Sequence, residues 1–220
     1  MKILSYIAAP SYYSDKKIFF LVSAKKVRLS LEYGNVPESC FGYTIYGMVN
    51  ALILGDYAGA YDFGLLGVQL SEKFKSPVNK CRTSVIFGNY IFPWMKNVRA
   101  IEEINQGGYQ AGLAGGELEY AGYCLTHIAE NYFYLSNKSL KDILSVIREY
   151  MPFVNKTVNS LSIDLFTGLK MALFNLSGFT KDKWSFYTDD MEEEQFLHMC
   201  LYNKTYMALC FYYIFKFLFN

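Results

Sequence analysis

Three glycines within one apolar segment constrain this chain more than any other feature. Gly59, Gly64 and Gly67 lie between the tripeptide Gly55-Asp56-Tyr57 and Phe74, in a stretch where Phe63, Leu66 and Leu70 recur at helical spacing. In a helix each glycine costs roughly 1 kcal/mol relative to alanine, so about 3 kcal/mol falls on this single segment. Close approach of a second helix offsets such a cost. A residue without Cβ lets a neighbouring backbone, or a ring such as Tyr46, sit directly against it. The small residues Ala60, Gly64, Gly67 or Val68, and Ser71 form the row that would receive that neighbour. Upstream, Ile45, Val49 and Leu52 make one helical stripe, and Tyr43, Tyr46 and Asn50 make another. Gly55 suits a left-handed helix cap, and Asp56 can accept the orphan N–H groups of the following helix. Ser39 to Phe74 therefore reads as a helical hairpin.

Other breaks divide the chain into units of the same kind. Ser14-Asp15 offers an N-cap inside residues 1–33, which read as a helix pair or one interrupted helix. Gly34 to Ser39 and Lys75-Ser76-Pro77 are breakers. Between them and the next glycine-rich stretch lie Val78 to Met95, which Pro93 kinks or ends, and Asn97 to Leu113. A third unit starts at Glu117, with Tyr120, Tyr123, His127 and Asn131 on one stripe. Asn137-Lys138-Ser139 caps Leu140 to Met151, which Pro152 terminates or bends. A fourth unit starts near Thr157, with Leu161, Leu165, Leu169 and Leu173 at steps of four. Ser177 to Thr188 is the longest polar connection, and Asp189 with Glu192 resembles a capping box for the last helix. Starts at Ser39, Val78, Glu117 and Thr157 recur at roughly 39 residues, within the range of stacked helical repeats. The expected fold is all-α: helical hairpins stacked as an α-solenoid, with an array over 1–176, a polar connection over 177–189 and a terminal helix over 190–220 that begins a further repeat.

Composition narrows the functional classes. The 220 residues carry 21 basic and 20 acidic side chains, a net charge of +1, which favours neither nucleic acid nor anionic lipid. Twenty Tyr and 18 Phe against 2 Trp and 2 His suit rings packed over small residues between helical layers. Cys40, Cys81, Cys124, Cys200 and Cys210 contain no C-x-x-C pair and read as buried free thiols, implying a reducing, cytoplasmic setting. Ile3 to Ala9 is too short for the core of an export signal. Met207 to Phe219 is apolar on every face but falls short of the roughly 20 residues needed to span a bilayer. A helix buried against an absent next repeat is the first reading of that segment, and a membrane-surface contact over 207–219 the second.

No motif assembles a catalytic or cofactor site. Asp62-Phe63-Gly64 matches the kinase D-F-G string, but no H-R-D-x-x-x-x-N loop, strand lysine or phosphate loop accompanies it. The glycines from Gly107 to Gly116 lack the preceding strand and the lysine that would hold phosphates. His127 and Glu130 share a helix face as half a metal site would, with no second pair to complete it; His198 and Glu194 read as a surface helix pair. The expectation is no catalytic residue, no metal and no cofactor.

Leu29-Ser30-Leu31-Glu32-Tyr33-Gly34-Asn35, Ser39, Gly42-Tyr43, Gly55-Asp56-Tyr57 and Gly116-Glu117-Leu118-Glu119-Tyr120-Ala121 together carry a resemblance. They look like the tetratricopeptide-like helical region of cyanobacterial-type multi-sensor kinases. In that family a serine/threonine kinase and a signal-transduction ATPase module precede the helical region, and GAF and histidine kinase domains follow it. Gly55, Tyr57 and Ala60 sit at tetratricopeptide spacing, whereas Gly64 replaces a large residue and the Trp-Leu-Gly signature is missing. The resemblance implies a non-catalytic scaffold or regulatory region that contacts protein partners or neighbouring domains, and a chain that is a fragment or truncated product. Tyr43, Tyr46, Asn50, Trp94 and Tyr123 are the candidate contact residues; Gly55, Asp56, Tyr57, Ala60 and Gly64 are the structural hairpin motif. Two alternatives stand beside it: an inactive piece of a kinase or ATPase whose catalytic segments are encoded adjacently, and a small-ligand sensor with a cavity lined by Tyr43, Tyr90 or Tyr123.

Overall fold

A computed structural model describes residues 1–135, 137–157, 159–187 and 191–219, with Ala9 by its backbone only. The described residues form eleven α-helices, and the chain divides into two compact units, Met1–Cys124 and Leu125–Asn220. The all-helical class expected from periodicity is the class observed.

The first unit opens with α1 (Lys2–Ser14) and α2 (Lys16–Tyr33). Asp15 serves both. Its N–H bonds the Ser11 carbonyl to close α1, and its carboxylate accepts from Lys17 N–H at 2.8 Å to open α2. Gly34, at φ +91°, ends α2. Proline begins α3 (Pro37–Val49), where Ser39 Oγ accepts from Val36 N–H at 3.0 Å and from Ser30 Oγ at 2.7 Å. The last turn of this helix widens to π geometry over Asn50–Leu54. Gly55 then takes φ +68°, Asp56 Oδ1 accepts from Gly59 N–H at 2.9 Å, and α4 (Tyr57–Lys73) returns alongside α3.

Helices α3 and α4 meet backbone to backbone. A Cβ on Gly47 would lie 2.6 Å from the Ala60 carbonyl oxygen; one on Gly67 would collide with Thr44 Oγ1 and lie 2.6 Å from the Cys40 carbonyl. Ala60, Gly64, Gly67 and Ser71 are all buried at this seam. The ring expected over the glycines is elsewhere: Gly64 receives Phe87 and Ile91, whereas Tyr46 meets the edge of Phe63 at 4.9 Å between centroids.

The next pair repeats the device. Helix α5 (Pro77–Ile86) is capped by Ser76 and passes through a π turn at Phe87–Ile91 into a 3-10 turn at Phe92–Trp94 that contains Pro93. Helix α6 (Ile101–Gly115) starts later than the Asn97 expected. Asn97 instead caps a separate 3-10 turn by accepting from Arg99 N–H at 3.0 Å. Gly108 and Gly112 of α6 abut Ser84, Cys81, Ala121 and Cys124. Asn89 and fully buried Asn105 exchange two amide hydrogen bonds of 3.0 Å, so neither side chain is left unpaired beside the π turn. Gly116 takes φ +71°, and Glu117 receives both Nε and a terminal nitrogen of Arg82, at 2.8 and 2.6 Å.

Helix α7 (Leu118–Tyr134) runs across the division between the units. In the second unit Ser139 and Asp142 form a reciprocal capping box for α8 (Leu140–Lys156). Pro152 does not terminate this helix. Burial of Val154, and Thr157 bonding back to the Phe153 and Val154 carbonyls, hold a further turn despite the missing N–H. Helix α9 (Ser160–Leu176), capped by Asn159, buries Leu165, Leu169 and Leu173. After it, Asn175 gathers the connection by donating to the carbonyls of Lys183 and Ser185, both at 3.0 Å.

Residues 191–219 hold two helices where one was expected over 190–220, α10 (Glu193–Asn203) and α11 (Tyr206–Phe219). Glu192 is the N-cap residue of α10; Asp189, expected to share that role, lies outside the described residues. Glu193 accepts from Tyr212, Lys216 and Phe186 N–H, joining the connection to both helices. Ala208, Tyr212 and Phe215 turn inward, whereas Phe217 is 85 % exposed, so α11 has one buried face and one open face. Four cysteines are buried, but Cys210 is exposed, contrary to its reading as a core thiol. Among the described residues no helix is long and apolar enough to cross a membrane.

Candidate interaction surface

The π turn that closes α3 swings three consecutive aliphatic residues outward. Leu52, Ile53 and Leu54 are 55, 60 and 63 % exposed. Gly55 and Asp56 then direct Tyr57 toward the 3-10 turn of Phe92–Trp94. The Tyr57 and Trp94 rings stack there with centroids 4.8 Å apart and planes 21° apart. Trp94 remains 55 % exposed and Met95 is exposed beside it. Behind the pair, Phe92 packs on Tyr61 and Phe87, and Lys96 lies over the Tyr61 ring at 5.3 Å, so the rim is anchored to the core. Leu52, Ile53, Leu54, Trp94 and Met95 are thus exposed apolar side chains near the Tyr57–Trp94 stack.

The five sequence-derived contact residues do not form one surface. Tyr43 is buried, stacks on Phe63 and donates to Asn35 Oδ1 at 3.0 Å. Burial raises its hydroxyl pKa, partly opposed by hydrogen bonding with Ser30. Asn50 is buried, and its Oδ1 has no hydrogen-bond partner. Tyr46 is half-buried and lines a shallow groove with Arg28, Leu31 and Glu32. Tyr123 is half-buried and donates to Glu119 Oε1 at 3.0 Å; burial first, then the Glu119 charge, push its pKa up. Trp94 alone among the five is exposed. Of the hairpin motif, Gly55, Asp56 and Tyr57 sit at the apolar edge, and Ala60 and Gly64 lie in the helix seam behind it.

A second feature of this unit is one that sequence reasoning missed. The side chain of Lys26 is fully buried, its ammonium donating to Ser5 Oγ at 2.9 Å and lying 5.0 Å from the centre of the Phe41 ring. Gly42 makes the room, since a Cβ there would stand 3.1 Å from Lys26 Cβ. Burial, reinforced by the Arg82 charge and opposed by Glu38 and Cys40, pushes the amine pKa down to about 8. The available signal was the stripe Phe19, Val22, Ser23, Lys26, Val27, Ser30, whose helical spacing places Lys26 inside.

Asp62 of the D-F-G string is exposed in the middle of α4. His127 Nδ1 and Glu130 Oε2 bond each other at 2.9 Å, and no group of metal-ligating side chains exists among the described residues. Compared with protein-family models, with curated proteins and with solved structures, the chain matches none.

Proposed function

We propose that this chain is a non-catalytic helical-repeat scaffold that contacts protein partners or neighbouring domains, with the edge from Leu52 to Tyr57 and Trp94-Met95 as its contact surface. The observation that carries the reading is the exposed Tyr57–Trp94 stack among exposed aliphatic residues. Stiff aromatic side chains in such a setting are what interfaces use as anchors, because they bury much area for little lost entropy. A repeat arrangement is supported by helix starts at Pro37, Pro77, Leu118 and Ser160, and by glycine seams in both α3/α4 and α5/α6. The signalling-kinase setting rests on the motif strings that resemble the helical region of multi-sensor kinases.

A photo-crosslinking amino acid at Ile53 or Trp94 tests the contact surface in cells, with Glu149 on α8 as the comparison position. Cross-links to protein at the first two and not at the third are expected. Their absence at both edge positions would overturn the reading, as would saturable ATP binding by the purified chain in calorimetry.

A further inference from the structure

Helix α11 of the second unit has two unlike faces. Ala208, Tyr212 and Phe215 are buried, with the Phe215 ring edge-on to Phe133 at 5.5 Å between centroids. The one charge in the helix, Lys216, is held by Glu193, which also accepts from Tyr212. The opposite face carries Tyr206, Cys210, Tyr213 and Phe217, at successive steps of four, three and four residues. That is the spacing at which one helix meets another along a seam. Tyr206, Tyr213 and Phe217 are 63, 58 and 85 % exposed, and Ile214 and Leu218 beside them are exposed as well. With a ring burying 150–250 Å², these side chains together offer roughly 600 Å². Two such faces in contact remove about 1,200 Å² from water, which clears the size of a specific interface and stays well below that of an obligate one. The stripe holds no charge to repel its own image, a condition that a surface meeting itself across a two-fold axis must satisfy.

We infer that α11 is a self-association surface, and that two copies of this chain pair their α11 helices antiparallel about a two-fold axis. Phe217 then meets Tyr206 of the second copy, and Tyr213 covers the small Cys210 of the second copy. Each contact occurs twice, as an isologous interface requires. Antiparallel packing also sets the two helix dipoles in opposition, which favours it over the parallel arrangement. This surface is separate from the exposed edge of the first unit, so failure of one reading leaves the other standing.

The experiment is sedimentation velocity of the full chain from about 1 to 100 µM, the range in which a micromolar Kd is read directly. A shift from monomer to dimer with concentration is expected. Phe217→Glu and Tyr206→Lys each place a charge on the seam and should weaken dimerisation at least tenfold. The melting temperature of the dilute chain should stay close to that of the parent, because both side chains point to solvent. Mixed in equal amounts, the two variants should form a heterodimer. Antiparallel pairing sets position 217 of one copy against position 206 of the other, so one contact becomes an ion pair and the second is the parent pair. A chain monomeric throughout, a dimer indifferent to both substitutions, or a mixture that stays monomeric would overturn the inference. So would a monomer that floats with phosphatidylcholine vesicles, since the face would then belong to a bilayer.

Discussion

Lys26 Nζ donates to Ser5 Oγ at 2.9 Å, and among the described residues that hydroxyl is the only oxygen it bonds. A lysine enclosed without a carboxylate in hydrogen-bond contact is held at a cost in stability, since the charged form loses water and the more distant Glu38 charge offsets only part of that loss. Its pKa of about 8 in the fold lies below its ordinary value of 10.5. The unfolded chain therefore binds more protons between pH 8 and 10.5, and stability rises with pH across that window. The cost is fully present below pH 8 and gone above 10.5. Lys26→Met should raise stability at pH 7 by up to about 3 kcal/mol, from the 1.36 kcal/mol that each pKa unit represents. Denaturant midpoints should show this advantage shrinking from pH 8 upward. A difference that stays constant to pH 10.5 would show that the amine does not carry it.

The glycine seam predicts opposite effects for two formally alike substitutions. Gly67→Ala drives a methyl into Thr44 and the Cys40 carbonyl. It should lower stability by roughly 1–3 kcal/mol despite the gain in helix propensity. Gly107 in α6 has nothing within 4 Å of a Cβ position, so Gly107→Ala should stabilise by about 0.5–1 kcal/mol. Gly64→Leu, whose Cβ alone would lie 2.6 Å from Phe87, belongs with the first. Thermal melts of the three variants decide the matter; a common sign would refute the seam.

Buried Asp164 accepts from Thr205 at 2.6 Å and Asn203 at 3.1 Å, and its Oδ1 has no partner. Thr205→Val removes the shorter bond from a carboxylate that cannot reach water. It should cost about 1.5–3 kcal/mol in chemical denaturation. Adding Asp164→Asn should recover part of that loss, because a neutral amide is cheaper to bury than a carboxylate. A double variant less stable than Thr205→Val would contradict this account.

Tyr57 and Trp94 stack across a surface, not within the core. A double-mutant cycle to alanine should give a coupling of about 0.5–1.5 kcal/mol. Trp94→Ala alone should cost little beyond that coupling, which separates a contact role from a structural one. A coupling indistinguishable from zero would mean that the stack does not orient the edge.

The sequence by itself determined the helices and most of the breaks between them. Asp15, Gly55 with Asp56, Ser76, Ser139 and Gly116 act on backbone groups a few residues away, so their chemistry is complete within the local string. The close α3/α4 seam was legible for a related reason: glycines whose helical cost has no local return must be repaid by a neighbour.

Only the tertiary structure decided which stripes face inward. Tyr43 and Asn50 share a stripe with Tyr46, yet the first two are buried, and the exposed edge is built from Leu52 to Tyr57 and Trp94. Phe87 and Ile91, not Tyr46, cover Gly64. Lys26 is enclosed because Gly42 and Ser5 come to it from two other helices, and Pro152 stays helical because Val154 is buried beyond it. Each outcome depends on atoms from segments distant in the chain, whose packing chooses among faces that periodicity leaves equivalent.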